Sequence, residues 1–209
     1  MNKKIFSENC NLSSYTSIKV GGVAEYFAEP KSIEELSYLM KWANLNKQRC
    51  QIIGAGSNLL INNIFIKGLV ICTKKLKSLK IEPYSGIVEA EAGVMLPTLS
   101  NALAKNGLQG GEWAVGIPGT LGGAIYMNAG TGNISLAKNL ISVKVINNKT
   151  NEELQIEKKD ITFEYRFSSF QSNDLTIISA KLHFEPNGNL EQLIQTTKNN
   201  LKLKTETQP

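Results

Sequence analysis

The sequence lacks several things at once, and each absence removes a class of function. No run of about 18 apolar residues occurs, so nothing reads as a membrane-spanning helix. The opening Met-Asn-Lys-Lys-Ile-Phe-Ser-Glu has two lysines but no apolar stretch behind them, unlike a secretory signal. There is one histidine, His183, in a strand-like run, and three cysteines, Cys10, Cys50 and Cys72, without metal-ligand spacing. A metal centre and a serine–histidine pair are therefore disfavoured, and His183 is expected to be packed and hydrogen-bonded. The odd, scattered thiols read as reduced structural cysteines of a cytoplasmic protein. Repeats and low-complexity stretches are missing. Arginine is nearly so, with only Arg49 and Arg166.

Acidic residues are outnumbered, 18 against 23 basic, for a net charge of +5. The excess gathers at Lys74-Lys75-Leu76-Lys77-Ser78-Leu79-Lys80 and near Lys198, Lys202 and Lys204. These lysines lie among Leu and Ser, whereas a nucleic-acid stripe interleaves with stacking aromatics. A solvated surface is expected, although mild positive charge also suits phosphorylated small molecules. Glu34-Glu35 and Glu152-Glu153 read as solvated faces.

What is present is a soluble-type composition, 42% hydrophobic and 20% charged, long enough for one large domain or two small ones. Its most informative stretch runs from Gly116 to Gly130: Gly-Ile-Pro-Gly-Thr-Leu-Gly-Gly-Ala-Ile-Tyr-Met-Asn-Ala-Gly. Glycine allows positive φ and close approach, and proline fixes φ. Glycines interleaved with apolar side chains read as ordered backbone wrapped against something, with N–H groups free to face an anion. A tightly packed loop between two sheets is the alternative.

The patterning predicts two lobes in an α+β arrangement. Val23–Glu29 alternates as a strand. Ser32 caps a helix with Glu35 closing the capping box and Ile33, Leu36, Leu39, Met40 and Ala43 on one face. Gln51–Ile53 and Leu69–Cys72 are strands. The second lobe opens with a strand at Gly86–Gly93, then a helix with Pro97 in its first turn and Gly107 as its stop. Ile141–Ile146 and Glu153–Ile156 form a hairpin around Asn147-Asn148, Leu175–Phe184 is a long strand, and Asn189 caps a last helix with Leu190, Leu193, Ile194 and Leu201 inward.

Three constellations carry chemistry. Gly54-Ala55-Gly56-Ser57-Asn58 follows a strand, but a Rossmann turn would need a glycine at Leu59 and an acidic residue where Thr73, Lys74 and Lys75 stand. A compact turn binding a pyrophosphate through N–H groups, the Ser57 hydroxyl and the Asn58 amide remains open beside an ordinary strand-end turn. Paired with the Gly116–Gly130 segment, it supplies one anion cradle per lobe, as a dinucleotide held between lobes requires. Third, Arg166 lies in Phe163-Glu164-Tyr165-Arg166-Phe167-Ser168-Ser169-Phe170, where aromatic neighbours would fix its fork for a carboxylate. Composition alone favours a structural pair with an acidic residue.

These pieces, with Asn11-x-x-x-x-Thr16-x-x-x-x-Gly21-Gly22 before them and Tyr165-Arg166-x-Ser168-x-Phe170 after, resemble the UDP-N-acetylenolpyruvoylglucosamine reductases (UDP-N-acetylmuramate dehydrogenases, MurB family), flavoenzymes of peptidoglycan precursor synthesis. The resemblance covers residues 11 to 209. It implies a two-lobed FAD-binding domain of the vanillyl-alcohol-oxidase (PCMH) type: lobe 1 over 1–75, lobe 2 over 76–188, and a terminal helix over 189–209 leading to a substrate domain. It implies non-covalent FAD held at Gly54, Ala55, Gly56, Ser57 and Asn58 and at Gly116, Ile117, Pro118, Gly119, Thr120, Gly122 and Gly123, with Asn128, Ala129 and Gly130 nearby. Arg166 matches the arginine that steadies the substrate carboxylate. NADPH is the implied hydride donor and UDP-N-acetylglucosamine enolpyruvate the substrate, with no metal, nucleic acid or membrane; oligomeric state is left open.

The sequence departs from the family at its end and at Thr131-Gly132-Asn133, where an Ala-Tyr/His-Gly type sequence is commoner. Members continue past the equivalent of Thr207–Pro209 into a domain carrying a serine proton donor and a later glutamate, and neither segment occurs here. One missing general acid forfeits about 10²–10⁴ in rate. The expectation is a chain truncated before that domain, which binds FAD yet reduces the substrate poorly or not at all. Two readings stand beside the reductase: a FAD-binding remnant without turnover, and another flavin oxidoreductase on the same fold, which the Tyr165–Phe170 match opposes.

Overall fold

A computed structural model describes residues 5–62 and 64–207. The terminal Gln208-Pro209 lies outside the described residues, as does the Met1–Lys4 part of the opening segment. The first sheet is built from β1 (Ser7–Asn11), β2 (Val23–Ala28), β3 (Cys50–Ile53) and β4 (Phe65–Cys72), in the order β1-β2-β4-β3. β4 pairs in parallel with both β2 and β3, and β1 closes the edge antiparallel. β4 is central because its run Gly68-Leu69-Val70-Ile71-Cys72 is apolar on both faces and wholly buried.

Period-2 alternation sorts that strand between two cores. Leu69 and Ile71 face α1 (Ile33–Leu45), which contributes Leu36, Leu39, Met40 and Ala43. Val70 and Cys72 face Leu12, Ala24, Phe27 and Ile53. The Ser32 cap forms, its side chain accepting from the Glu35 N–H at 3.3 Å. The return bond of the box lands one residue earlier, with the Lys31 N–H donating to the Glu35 carboxylate at 2.7 Å.

The second sheet contains β5 (Leu79–Glu82) and β6 (Ile87–Glu91). Then come α2 (Leu96–Lys105), α3 (Leu121–Tyr126) and a small ribbon, β7 (Gly130–Thr131) with β8 (Ile134–Ser135). The remaining elements are β9 (Leu140–Asn147), β10 (Glu153–Glu157), the hairpin β11 (Phe163–Glu164) and β12 (Phe167–Ser168), β13 (Leu175–His183) and α4 (Leu190–Thr207). The sheet order is β10-β9-β13-β6-β5, antiparallel at every step. Its core gathers Val88, Leu96, Leu99, Leu103, Leu121, Ile125, Val143, Val145, Leu182 and Phe184.

Four expectations need revision. The lysine-rich stretch ends in β5, an edge strand whose Lys80 and Glu82 point to water while Leu79 and Ile81 pack inward. The hairpin turn is five residues, 148–152, rather than Asn147-Asn148, because Asn151 takes the left-handed conformation at φ 60° and its N–H closes onto the Asn147 carbonyl. Six residues of the glycine segment form the helix α3, despite Gly122 and Gly123 within it. On α4 the Asn189 cap holds, accepting from the Gln192 N–H at 2.9 Å, but Leu190 and Leu201 are about half exposed. The buried positions there are Leu193 and Thr197, since the helix leans on α2 and the turn Glu112–Gly116.

The two sheets share a core. Ile146 of β9 and Ile178 of β13 are fully buried in the cluster that α1 and β4 form. Replacing Ile178 with Ala is expected to cost about 2–5 kcal/mol, read by urea unfolding. Loss of one sheet's signal while the other stays untouched would show that the lobes do not depend on each other.

Candidate functional site

A cleft of about 920 Å³ opens between the sheets, near the upper end of the range for small-molecule sites. Its walls come from both glycine segments. From the first lobe they are Cys50, Ile52 and Ile53 and the turn Gly54–Leu59; from the second, Ile117–Thr120 and the α3 face with Gly122, Gly123, Ala124 and Tyr126. The Gly54–Leu59 turn sits at the carboxyl end of β3, the end of a parallel strand at which α/β folds place ligands.

The two turns touch. The Ser57 hydroxyl donates to the Pro118 carbonyl at 2.9 Å, and a Cβ at Gly54 would fall on the Thr120 hydroxyl. Gly56 holds φ at 67°, and a Cβ there would overlap the Tyr15 carbonyl oxygen. Gly122 packs against the end of β6, where a Cβ would sit 2.9 Å from that of Ala92. Contact therefore requires glycine at all three positions, and φ requires it as well at Gly56.

The Asn11–Gly22 motif acts from behind the turn. Asn11 accepts from the Ser13 N–H at 2.9 Å, Thr16 donates its hydroxyl to the Val20 carbonyl at 2.8 Å, and the Ser17 N–H donates to the Gly56 carbonyl at 3.2 Å. It braces the turn and lines no part of the cleft. The sequence signal was present in its spacing, but the bracing role was not readable from it.

Donors concentrate where the turns meet. Among the described residues, the amides of Ala55, Gly56, Ser57, Asn58, Gly119 and Thr120 have no acceptor within the chain. The neighbouring bonds are spoken for: Leu96 N–H to the Gly119 carbonyl at 3.0 Å, and Leu121 N–H to the Val94 carbonyl at 2.8 Å. Several backbone amides left without a partner and gathered on one wall form the kind of concavity that suits an anion.

Of the remaining sequence-expected residues, Ala129 and Arg166 line the cleft, whereas Gly116, Asn128 and Gly130 do not. Gly116 gives room to the Lys204 stem of α4, and Gly130 to the backbone at Ile134 and Ser135. Asn128 donates its side-chain amide to the Glu164 carbonyl at 2.9 Å and leaves its Oδ1 buried without a partner. Residues not anticipated also line the cleft, chiefly Tyr126, Asn148, Gln171 and Thr176. Tyr126 lies inside the glycine segment but was not singled out there, and Asn148, Gln171 and Thr176 are scattered singly along the chain, so no motif marked them.

Arg166 forms no ion pair among the described residues, so the structural pairing that composition favoured is not found. It is exposed rather than enclosed by aromatics: Tyr165 alone carries it, with the guanidinium carbon 5.6 Å from the ring centroid. Its backbone is left-handed at φ 57°, which costs a side-chain-bearing residue roughly 1–2 kcal/mol. Such an outlier beside a cleft points to a job for that side chain.

His183 lies on β13 with its ring beside Gly86, and its backbone exchanges hydrogen bonds with Asn139. No group of three His, Cys, Asp or Glu capable of holding a metal occurs among the described residues. No helix among them is long and apolar enough to cross a membrane. Cys10, Cys50 and Cys72 are free thiols, all raised by burial, with Cys50 in the cleft wall pushed up to about 11.

A family profile described as a FAD binding domain matches residues 24–154. A UDP-N-acetylenolpyruvoylglucosamine reductase of Prochlorococcus marinus subsp. pastoris is 68% identical over 98% of this chain and 69% of its own length. The chain belongs to the UDP-N-acetylenolpyruvoylglucosamine reductase family. A reductase of the same name from a second Prochlorococcus marinus strain is 44% identical over all of this chain and 71% of its own length. The crystal structure of the Thermus caldophilus reductase (MurB) superposes with a TM-score of 0.80 at 26% identity, covering 98% of this chain and 71% of that one. A Phl p 4 variant described as a glucose oxidase shares the fold alone, with a TM-score of 0.64 at 13% identity over 89% of this chain and 42% of its own. The fold is thus the two-lobed α+β FAD-binding domain of the PCMH type, and the family is one of flavin-dependent oxidoreductases. The chain spans about 70% of the reductases it matches.

Gly56→Ala is expected to destabilise the reductase domain by about 1–3 kcal/mol, whereas Gly132→Ala, at a similar φ of 56° with nothing within 4 Å, costs less; paired denaturation curves compare them. The high thiol pKa leaves Cys50 protonated at pH 8, so iodoacetamide should label it slowly there and faster as pH rises through 10 to 11. Rapid labelling at pH 7 would contradict the burial argument.

Proposed function

We propose that the chain binds FAD in this cleft and serves the NADPH-driven reduction of UDP-N-acetylglucosamine enolpyruvate to UDP-N-acetylmuramate. The observation that carries the proposal is the meeting of the two glycine turns, with six unpaired amides on one wall. In this reading the amides of Ala55–Asn58 and of Gly119 and Thr120 neutralise the FAD diphosphate, as several converging N–H groups can without a lysine. When bound, FAD would supply the redox chemistry that links NADPH to the enolpyruvyl double bond.

Gly123, where an added Cβ would meet nothing closer than 3.6 Å, keeps the wall free of side chains so that a ligand backbone lies close, while Gly54 and Gly122 let Thr120 and Ala92 pack behind it. Thr120, almost fully buried, ties the two lobes at the first turn of α3. Ile117 and Pro118 give the wall apolar surface that excludes water. Arg166, unpaired and stacked on Tyr165, is proposed as the catalytic residue that grips the substrate carboxylate and the negative charge growing beside it. Gly116, Asn128 and Gly130 act through packing. Asn128 fastens the Arg166 hairpin through the Glu164 carbonyl. The three neutral, free thiols support a reducing compartment, so a cytoplasmic location is proposed.

One observation favours the second reading, a FAD-binding chain that does not finish the reaction alone. No Asp, Glu or His lines the cleft among the described residues, and burial holds the Cys50 thiol in its wall protonated. A protein acid for the final protonation is then supplied from outside this cleft wall.

Purified chain is expected to be yellow and to release flavin on denaturation, and Gly119→Val is expected to lower flavin affinity by at least about tenfold, read by flavin fluorescence. Colourless protein that ignores added FAD would end the cofactor assignment. NADPH oxidation driven by the enolpyruvyl sugar nucleotide then separates the readings: turnover by this chain alone supports the complete reductase, and flavin binding without turnover supports the second.

A further inference from the structure

Two backbone carbonyls converge on one side-chain amide in the cleft wall. Gln171 donates through Nε2 to the Tyr126 carbonyl at 2.9 Å and to the Arg166 carbonyl at 3.2 Å. Tyr126 ends α3, so its carbonyl belongs to the set that a helix leaves without an internal partner. Arg166 is the second residue of the two-residue turn between β11 and β12, left-handed where Gly or Asn is the usual occupant. The rest of the hairpin is fastened elsewhere. Ser168 donates its hydroxyl to the Tyr126 carbonyl at 2.8 Å, and Asn128 holds the Glu164 carbonyl at 2.9 Å. Among the described residues, Gln171 makes the one side-chain hydrogen bond that reaches Arg166.

We infer that Gln171 is a positioning residue for Arg166: its amide pins the left-handed backbone of Arg166 to the C-terminal end of α3 and so keeps the guanidinium on the cleft wall. The direction of a carbonyl fixes ψ of its own residue. Releasing that carbonyl lets Arg166 relax toward the extended region that a bulky side chain prefers, which swings the guanidinium away. The same amide ties the arginine to the helix whose first turn lines the donor-rich end of the cleft, so both ends keep one register. The role rests on the proposed grip of Arg166 on the substrate carboxylate.

The test uses the whole chain with Gln171→Met, which keeps length and removes both donors, and Gln171→Lys, which restores N–H donors. Hydrogen exchange followed by mass spectrometry is expected to show residues 165–168 exchanging about tenfold faster in Q171M, with α3 unchanged and Q171K returned toward the parent. On FAD-loaded protein, titration with UDP-N-acetylglucosamine enolpyruvate, read in the visible flavin spectrum, is expected to weaken about tenfold in Q171M while FAD affinity stays within about twofold. Arg166→Met is expected to weaken it at least as much, and the double variant no further, because both remove one interaction. Unchanged exchange at 165–168 in Q171M overturns the inference, as does a loss that adds in full to that of R166M. An R166M protein that binds the sugar nucleotide normally overturns the carboxylate reading instead, with the exchange result still judging the hold of Gln171 on the turn.

Discussion

The structure depends on one close approach, that of the Gly54–Asn58 turn to the loop before α3. Ser57 reaches the Pro118 carbonyl, and the Thr120 hydroxyl fills the space where a Gly54 side chain would be. A turn packed this tightly cannot spend its amides on a neighbouring strand, because strand pairing needs a backbone running alongside, and a hydroxyl and a proline carbonyl stand there instead. The unpaired N–H groups are therefore a consequence of the packing. Closeness between lobes creates the donor-rich wall, and the lobes are close because Ile146 and Ile178 of one sheet bury themselves under the helix of the other.

Around that contact, residues that line nothing still determine the site. Thr16 and Asn11 shape the short turn beneath Gly56 through local side-chain bonds of the kind Ser, Thr and Asn favour outside regular structure. Gly116 is better understood through α4 than through a ligand. The Lys204 stem lies over it, while Asn200 donates to the Glu112 carbonyl at 3.1 Å. The glycine segment thus does several kinds of work: Gly116 admits a helix, Gly119, Gly122 and Gly123 line the cleft, and Gly130 admits the backbone of the β7–β8 ribbon.

How much of this was legible depends on whether the deciding force was local. Ser32, Pro97, Gly107 and Asn189 marked helix boundaries correctly because capping is a contest among neighbours in sequence. β6 announced itself through alternation, and β9 and β13 through longer strand-like runs. α3 did not, since two glycines in six residues cost helix propensity, and the helix exists because its buried Leu121, Ala124 and Ile125 pack into the second core. β5 was hidden by Lys80 and Glu82 and by the lysines just before it, charges that an edge strand tolerates on its open face. The α4 stripe misled for the opposite reason: apolar spacing was present at Leu190 and Leu201, but the covering elements reach only Leu193 and Thr197. In the site, the glycine turns were legible because they are contiguous, whereas Asn148, Gln171 and Thr176 join them only once the chain has folded.

Arg166 shows where local and tertiary demands conflict. A two-residue turn with positive φ at its second position asks for glycine, and a glycine there would relieve the strain while removing the guanidinium. Retaining an arginine means the surrounding bonds must oppose relaxation, and three side chains do so: Asn128 and Ser168 at the strands, Gln171 at the turn. Both Ser168 and Gln171 anchor to the same Tyr126 carbonyl. The exposed hairpin therefore moves with α3, and α3 begins at the Thr120 that meets Gly54. A chain of direct contacts thus runs from the unpaired amides to the lone cleft arginine, which is what a site must have if one extended ligand is to touch both.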